Sequence, residues 1–232
     1  MLAFRKAMEA GADGIELDVQ ESADGAVVIC HDERVDRTTD GTGRVKDMTL
    51  AQLQALDASA VCAGQMGISR IPTLEEYFDL VKDSPIVTNI EMKTGIYEYR
   101  SMEPKVLDLI RKYGLSDRVI LSSFNHYTIL RMKKAAPDLE YGFLTSAWII
   151  HAGAYLHRHG IQCFHPRFNN LTPEIVAEIK SHGLKINCYT VNEPADVIDL
   201  AKKGVDAVIG NFPERTGQVL RDFYAGDAGR RL

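Results

Sequence analysis

Only four of the 232 residues are cysteine, and Cys30, Cys62, Cys163 and Cys188 stand single and far apart. Without CxxC pairs they build neither a zinc nor a redox site, so they read as buried thiols of a reducing compartment, the cytoplasm. No apolar run is long enough to span a bilayer, and Arg5, Lys6 and Glu9 interrupt the first ten residues. That excludes a signal-peptide core in the chain as written and gives no stable membrane anchor. No run of like charge occurs, and a net charge of -5 offers no basic footprint for nucleic acid. The stretch TTDGTG, residues 38–43, lacks the lysine of a nucleotide-binding loop and reads as a turn. No glycine-rich phosphate turn follows an early strand, which argues against an open doubly wound sheet.

What is present is a regular alternation. Strand-length runs occur at GIELDV and AVVICH, separated by the turn residues Asp24 and Gly25, and then at IVTNIEMK, VILSSFN, EYGFLT, IQCFHP, KINCYTV and VDAVIGNF. Between them lie helical stretches such as EPKVLDLIRKYG, HYTILRMKKAAP, TPEIVAEIKSHG and EPADVIDLAKKG, closed by glycine or proline. This order predicts parallel strands with crossover helices. Counting the first two runs as one bent strand gives seven strand positions, one short of a (β/α)8 barrel. At the N-terminus, Leu2, Phe4, Ala7 and Met8 share one side of a helix that Gly11 stops. The expectation is therefore a single domain, residues 1–232, N-terminally incomplete, with the first β-strand of the barrel absent. Both neighbouring strand edges would then be open to self-association. Residues 32–85 exceed an ordinary connection and predict a small excursion over the barrel mouth.

The alternation also sorts the polar residues. In GIELDV the apolar Ile15, Leu17 and Val19 alternate with Glu16 and Asp18, placing both carboxylates on one strand face with α-carbons about 6.6 Å apart. Barrel strands bury their other face under helices, so the acids point inward. In NIEMK, Asn89, Glu91 and Lys93 alternate with Ile90 and Met92 in the same way, adding a third carboxylate and a cation. Three carboxylates without cysteine or a histidine cluster favour a hard cation such as Mg²⁺ or Ca²⁺. His31 closes AVVICH at the strand end where barrel enzymes place reacting groups. His126 and His165 also follow strands and could line a pocket, a surface position for the first and a packed one for the second being the plainer readings. A Schiff-base role for Lys93 in a carbon–carbon lyase is the competing chemistry, disfavoured because three acids would hold the amine charged.

Together, GADGIELDVQESADGAVVICHDERVDRTTDGTGRVKD, RIPTLEE, NIEMKTG, VILSSFNH and YTVNEPADVIDLAKKGVDAVIGNFP resemble the glycerophosphodiester phosphodiesterase family of barrels, in its bacterial, cytoplasmic form, across nearly the whole chain. The resemblance implies metal ligation by Glu16, Asp18 and Glu91, a catalytic role for His31 and phosphate contact by Lys93. It implies hydrolysis of a small glycerophosphodiester to glycerol 3-phosphate and an alcohol, through attack by the glycerol 2-hydroxyl. Family members open with a strand bearing His-Arg-Gly, absent here, so impaired turnover is expected; a metal- and glycerophosphodiester-binding domain with weakened catalysis is the alternative. Tyr189 stands where the family usually has tryptophan, and Asn211 where aspartate is usual, changes that bear on the substrate pocket.

Overall fold

The computed structural model describes residues 1–59 and 68–228. Cys62 lies outside them. Cys30, Cys163 and Cys188 are free, buried thiols. The chain divides into two compact units, one of Met1–Arg5 and Gly14–Leu139, the other of Lys6–Asp13 and Glu140–Leu232.

The first helix, α1 (Leu2–Glu9), half-buries the predicted face of Leu2, Phe4, Ala7 and Met8, and Gly11 follows it with φ +75°. Phe4 meets the Tyr77 ring edge-on, with centroids 4.8 Å apart.

In the first unit, β1 (Gly14–Glu21) turns back into β2 (Val27–Ile29), which pairs with it antiparallel through Val19↔Ile29, Gln20↔Val28 and Glu21↔Val27. On its other edge β1 runs parallel to β3 (Val87–Met92), and β3 to β4 (Val119–Ser123). Among the described residues, a 3-10 turn at Val45–Asp47, α2 (Leu50–Gln54) and α3 (Leu74–Val81) come between β2 and β3. Thr73 and Glu76 form a capping box on α3. This segment has its own small core, in which Val35, Val45, Leu53 and Ile71 pack with Val28 and Cys30 of the hairpin. α4 (Met102–Lys112) and α5 (His126–Ala135) follow β3 and β4.

The second unit carries β5 (Glu140–Thr145), β6 (Cys163–Pro166), β7 (Lys185–Tyr189) and β8 (Ala207–Ile209), parallel and hydrogen-bonded in that order. The helices α6 (Ala152–His159), α7 (Pro173–Ser181), α8 (Pro194–Lys203) and α9 (Pro213–Ala228) alternate with them. Thr172 caps α7 with Pro173 at its first turn, and α8 ends on Gly204 at φ +80°.

The expectation of an absent first strand is overturned: eight strands are present among the described residues, four in each unit. The discrepancy comes from the turn after β1. Ser22 Oγ accepts from Ala26 N at 2.8 Å and Gly25 adopts φ +84°, reversing the chain fully, so that GIELDV and AVVICH are two strands rather than one bent strand. The reversal also gives β1 a partner on each side.

Candidate active site

Period-two alternation and strand register together build the site. Along β1, buried Ile15, Leu17 and Val19 alternate with half-buried Glu16 and Asp18. The parallel register sets Glu16 opposite Asn89 and Asp18 opposite Glu91, so side chains 73 residues apart in sequence share one face. Lys93 lies just beyond β3, its N–H donating to Val19 O at 3.1 Å. Its ammonium is 3.1 Å from Asp18 Oδ1 and 2.9 Å from Glu91 Oε1.

Oxygens of Glu16, Asp18 and Glu91 lie within 4.8 Å of one another. Burial, then repulsion from Asp18 and Glu91, pushes Glu16 up to about 8; burial and Asp18 push Glu91 up to about 7. Burial opposes charge on Lys93, but Asp18 and Glu91 outweigh it and hold the ammonium above its ordinary value. That disfavours a nucleophilic amine. Asp18 Oδ1 is buried, with the Lys93 ammonium 3.1 Å away. With one ammonium for three carboxyl groups, full ionisation would leave excess negative charge in a half-buried space, so Glu16 and Glu91 hold protons that a cation would displace. An all-oxygen donor set, with ligand atoms within 4.8 Å of one another, fits a divalent cation.

His31 falls two residues past β2, with its side chain 63% exposed. Its Nδ1 is 2.6 Å from Asp32 Oδ1, and Asp32 is gripped by Arg37 through Nε at 2.6 Å and Nη2 at 2.9 Å. The hydrogen bond from Arg37, assisted by His31, holds the Asp32 carboxyl down at about 2. The imidazole is thus oriented by a carboxylate that is itself fixed, which leaves Nε2 as the nitrogen available for proton transfer.

The structure therefore brings Glu16, Asp18, Glu91 and Lys93 together, and holds His31, oriented by Asp32, two residues past β2 in the same unit. His126 begins α5 in the same unit, half-buried. His165 and Tyr189 belong to the second unit. His165 is fully buried in β6, with Asn187 Nδ2 3.3 Å from its Nε2, and burial drives its pKa down to about 4. Tyr189 is half-buried and donates its hydroxyl to Thr145 O at 2.9 Å.

Sequence reasoning missed the Asp32–Arg37 clamp and Gln20. Both left a trace. HDERVDR places an arginine five residues after the aspartate, and Gln20 is the next same-face residue after Glu16 and Asp18.

A carboxylate cluster on parallel strands, with a lysine among the acids and an oriented histidine in the same unit, supplies the kinds of group that hydrolysis of a charged ester uses. The profile of the glycerophosphoryl diester phosphodiesterase family matches residues 1–215, and the chain belongs to that family. It is accordingly an enzyme, a phosphoric diester hydrolase. A glycerophosphodiester phosphodiesterase of Caldanaerobacter subterraneus subsp. tengcongensis is 42% identical over 219 residues, covering 94% of this chain and 90% of the relative. Among solved structures, an Oleispira antarctica phosphodiesterase in complex with its product sn-glycerol-3-phosphate superposes with a TM-score of 0.87 at 26% identity, over 94% of this chain and 90% of that one. A Thermotoga maritima glycerophosphodiester phosphodiesterase gives 0.75 at 26%, over 93% and 89%. The resemblance noted in the sequence thus holds, without its expected missing strand. No helix among the described residues is long and apolar enough to cross a membrane.

Proposed function

We propose that this enzyme hydrolyses small glycerophosphodiesters to glycerol 3-phosphate and an alcohol, with Mg²⁺ or Ca²⁺ held by Glu16, Asp18 and Glu91. The observation that carries the reading is the convergence of those three carboxylates within 4.8 Å, beside Lys93. The bound cation draws charge from a phosphate oxygen when present. Lys93, held protonated by its acidic neighbours, neutralises further phosphate charge and orients the diester. His31, with Nδ1 committed to Asp32, moves a proton at Nε2 to or from a reacting oxygen. His126, in the same unit as the acids, is a candidate for substrate contact. The product seen in the Oleispira structure supports the glycerol 3-phosphate assignment. The buried free thiols support a reducing, cytoplasmic setting. The net charge of -5 favours a small substrate over a polyanion.

The test is release of glycerol 3-phosphate from glycerophosphocholine and glycerophosphoethanolamine with Mg²⁺, with Ca²⁺ and with EDTA. Cation-dependent release from both, suppressed in Glu91→Ala, is the expected result. Cation binding without turnover of any diester would instead mark a binding domain. Turnover of cyclic nucleotides alone would overturn the substrate class.

A further inference from the structure

Gln20 is the residue on the site's own strand face that the proposed chemistry leaves unused. It continues Glu16 and Asp18 in steps of two along β1 and is fully buried. Its carboxamide makes three hydrogen bonds. Nε2 donates to Cys30 O at 2.9 Å and to Asp32 O at 2.6 Å, while Oε1 accepts from Tyr99 OH at 3.2 Å. Two carbonyls can be met only by the amide nitrogen, which fixes the orientation of the group.

Those carbonyls flank His31. The backbone pairing of β1 with this arm ends at Cys30 N, which donates to Asp18 O at 3.0 Å. One residue further on, the Gln20 side chain grips the chain before and after the imidazole. The Asp32 carbonyl also lies 3.5 Å from the Cys30 thiol. Tyr99, which steadies the far side of the carboxamide, stands at φ +39°, a left-handed backbone that a bulky residue keeps only where its surroundings enforce it. Its hydroxyl bond to Gln20 is one such constraint.

We propose that Gln20, braced by Tyr99, is a positioning residue for His31. It holds the backbone on both sides of the imidazole while Asp32 and Arg37 hold the ring. The proposal rests on the reading of His31 as the proton-transfer group. A strand residue two steps from Asp18 thereby sets the distance between the acids and the imidazole through rigid backbone rather than through a loop free to wander.

Gln20→Met keeps side-chain length and removes both donors, and Tyr99→Phe removes the brace alone. Each variant is assayed for kcat and KM on glycerophosphocholine, for Mg²⁺ affinity, for Tm, and by NMR of ¹⁵N-histidine-labelled protein with the His31 signal assigned through His31→Gln. Gln20→Met is expected to lower kcat by about 10- to 100-fold, as loss of a supporting shell does, with KM and Mg²⁺ affinity held within about twofold and the His31 signal shifted or broadened. Tyr99→Phe should do the same to a smaller degree. If Gln20→Met does not fold, Tyr99→Phe decides alone. A lower Tm with unchanged kcat and an unchanged His31 signal would make the network merely structural and overturn the proposal. Were His31→Gln itself fully active, the proton-transfer reading would fall; the NMR comparison would then still show separately whether Gln20 holds the imidazole.

Discussion

In the first unit, Asp18 and the opposing charges around it shift the protonation of Glu16, Glu91 and Lys93 in a half-buried space, and an exposed imidazole is oriented by Asp32. In the second, His165 is sealed from water and kept neutral, with the Asn187 amide beside it. The same two-residue strand period brings both sets of polar groups inward. What separates them is their company. Charges gathered with opposing charge, and with room for a cation, remain usable, whereas an imidazole closed in by protein becomes a piece of packing.

Removing each imidazole tests this contrast most directly. His31→Ala should lower kcat by about 10²- to 10⁴-fold while shifting Tm by no more than about 2 °C, because the ring is largely exposed. His165→Ala should do the reverse, costing about 2–4 kcal/mol of stability through a cavity and an unpaired amide, with kcat of the folded protein unchanged. Steady-state kinetics and thermal denaturation on both variants read this out. Equal losses in both columns would erase the distinction between the units.

The pH dependence of stability sharpens it. The folded-state pKa of His165, about 4, lies below the ordinary value of 6.5, so the unfolded chain takes up the proton more readily. The stability this contributes is whole above pH 6.5 and is lost as pH falls towards 4, by up to about 3 kcal/mol. Denaturant melts across that window should show the decline, and His165→Gln should flatten it; an unaltered slope in the variant would mean that other groups carry it.

Cation binding should act on the first unit in the opposite sense, adding stability where the acids converge. Mg²⁺ at a hundredfold over its Kd is expected to add about 2.7 kcal/mol, seen as a higher Tm, and Glu16→Ala should abolish the rise. Calorimetry that detects no divalent binding with all three acids intact would refute the cluster's assignment.

The smallest effect tests packing alone. A β-carbon added to Gly142 would stand 2.5 Å from His165 Nε2, so Gly142→Ala should cost about 1–3 kcal/mol. The cost should shrink when His165 is alanine as well, since the clashing ring is gone. Persistence of the full cost in the double variant would place the strain in the backbone.

Much of this was legible in the residues themselves. GIELDV and NIEMK announced their same-face acids because alternation is local, and the helix ends were marked by Thr172-Pro173 and Gly204. The pairing of Asp18 with Glu91 was not legible, because register is settled by hydrogen bonds between strands distant in sequence. The split between β1 and β2 was misjudged for a related reason: a strand of three residues has too few alternations to declare itself beside a longer one. Gln20 escaped notice because an uncharged amide carries no chemical signature until its partners are known. A packed His165 was the plainer reading of FHPRF and is what the structure has, but the neighbours that enclose it, Gly142 among them, no spacing reveals.

The pairing of Asp18 with Glu91 also ties quality control to chemistry. Were β1 to slip by one residue against β3, Leu17 or Val19 would stand where Asp18 stands, and the carboxylates would turn toward the face now filled by Ile15 and Leu17. That error would ruin the packing and the acid cluster in one stroke. A misregistered chain would therefore betray itself by instability before it could persist as a folded but inert copy. The enzyme's catalytic geometry is inspected, in effect, by the hydrophobic core each time the chain folds.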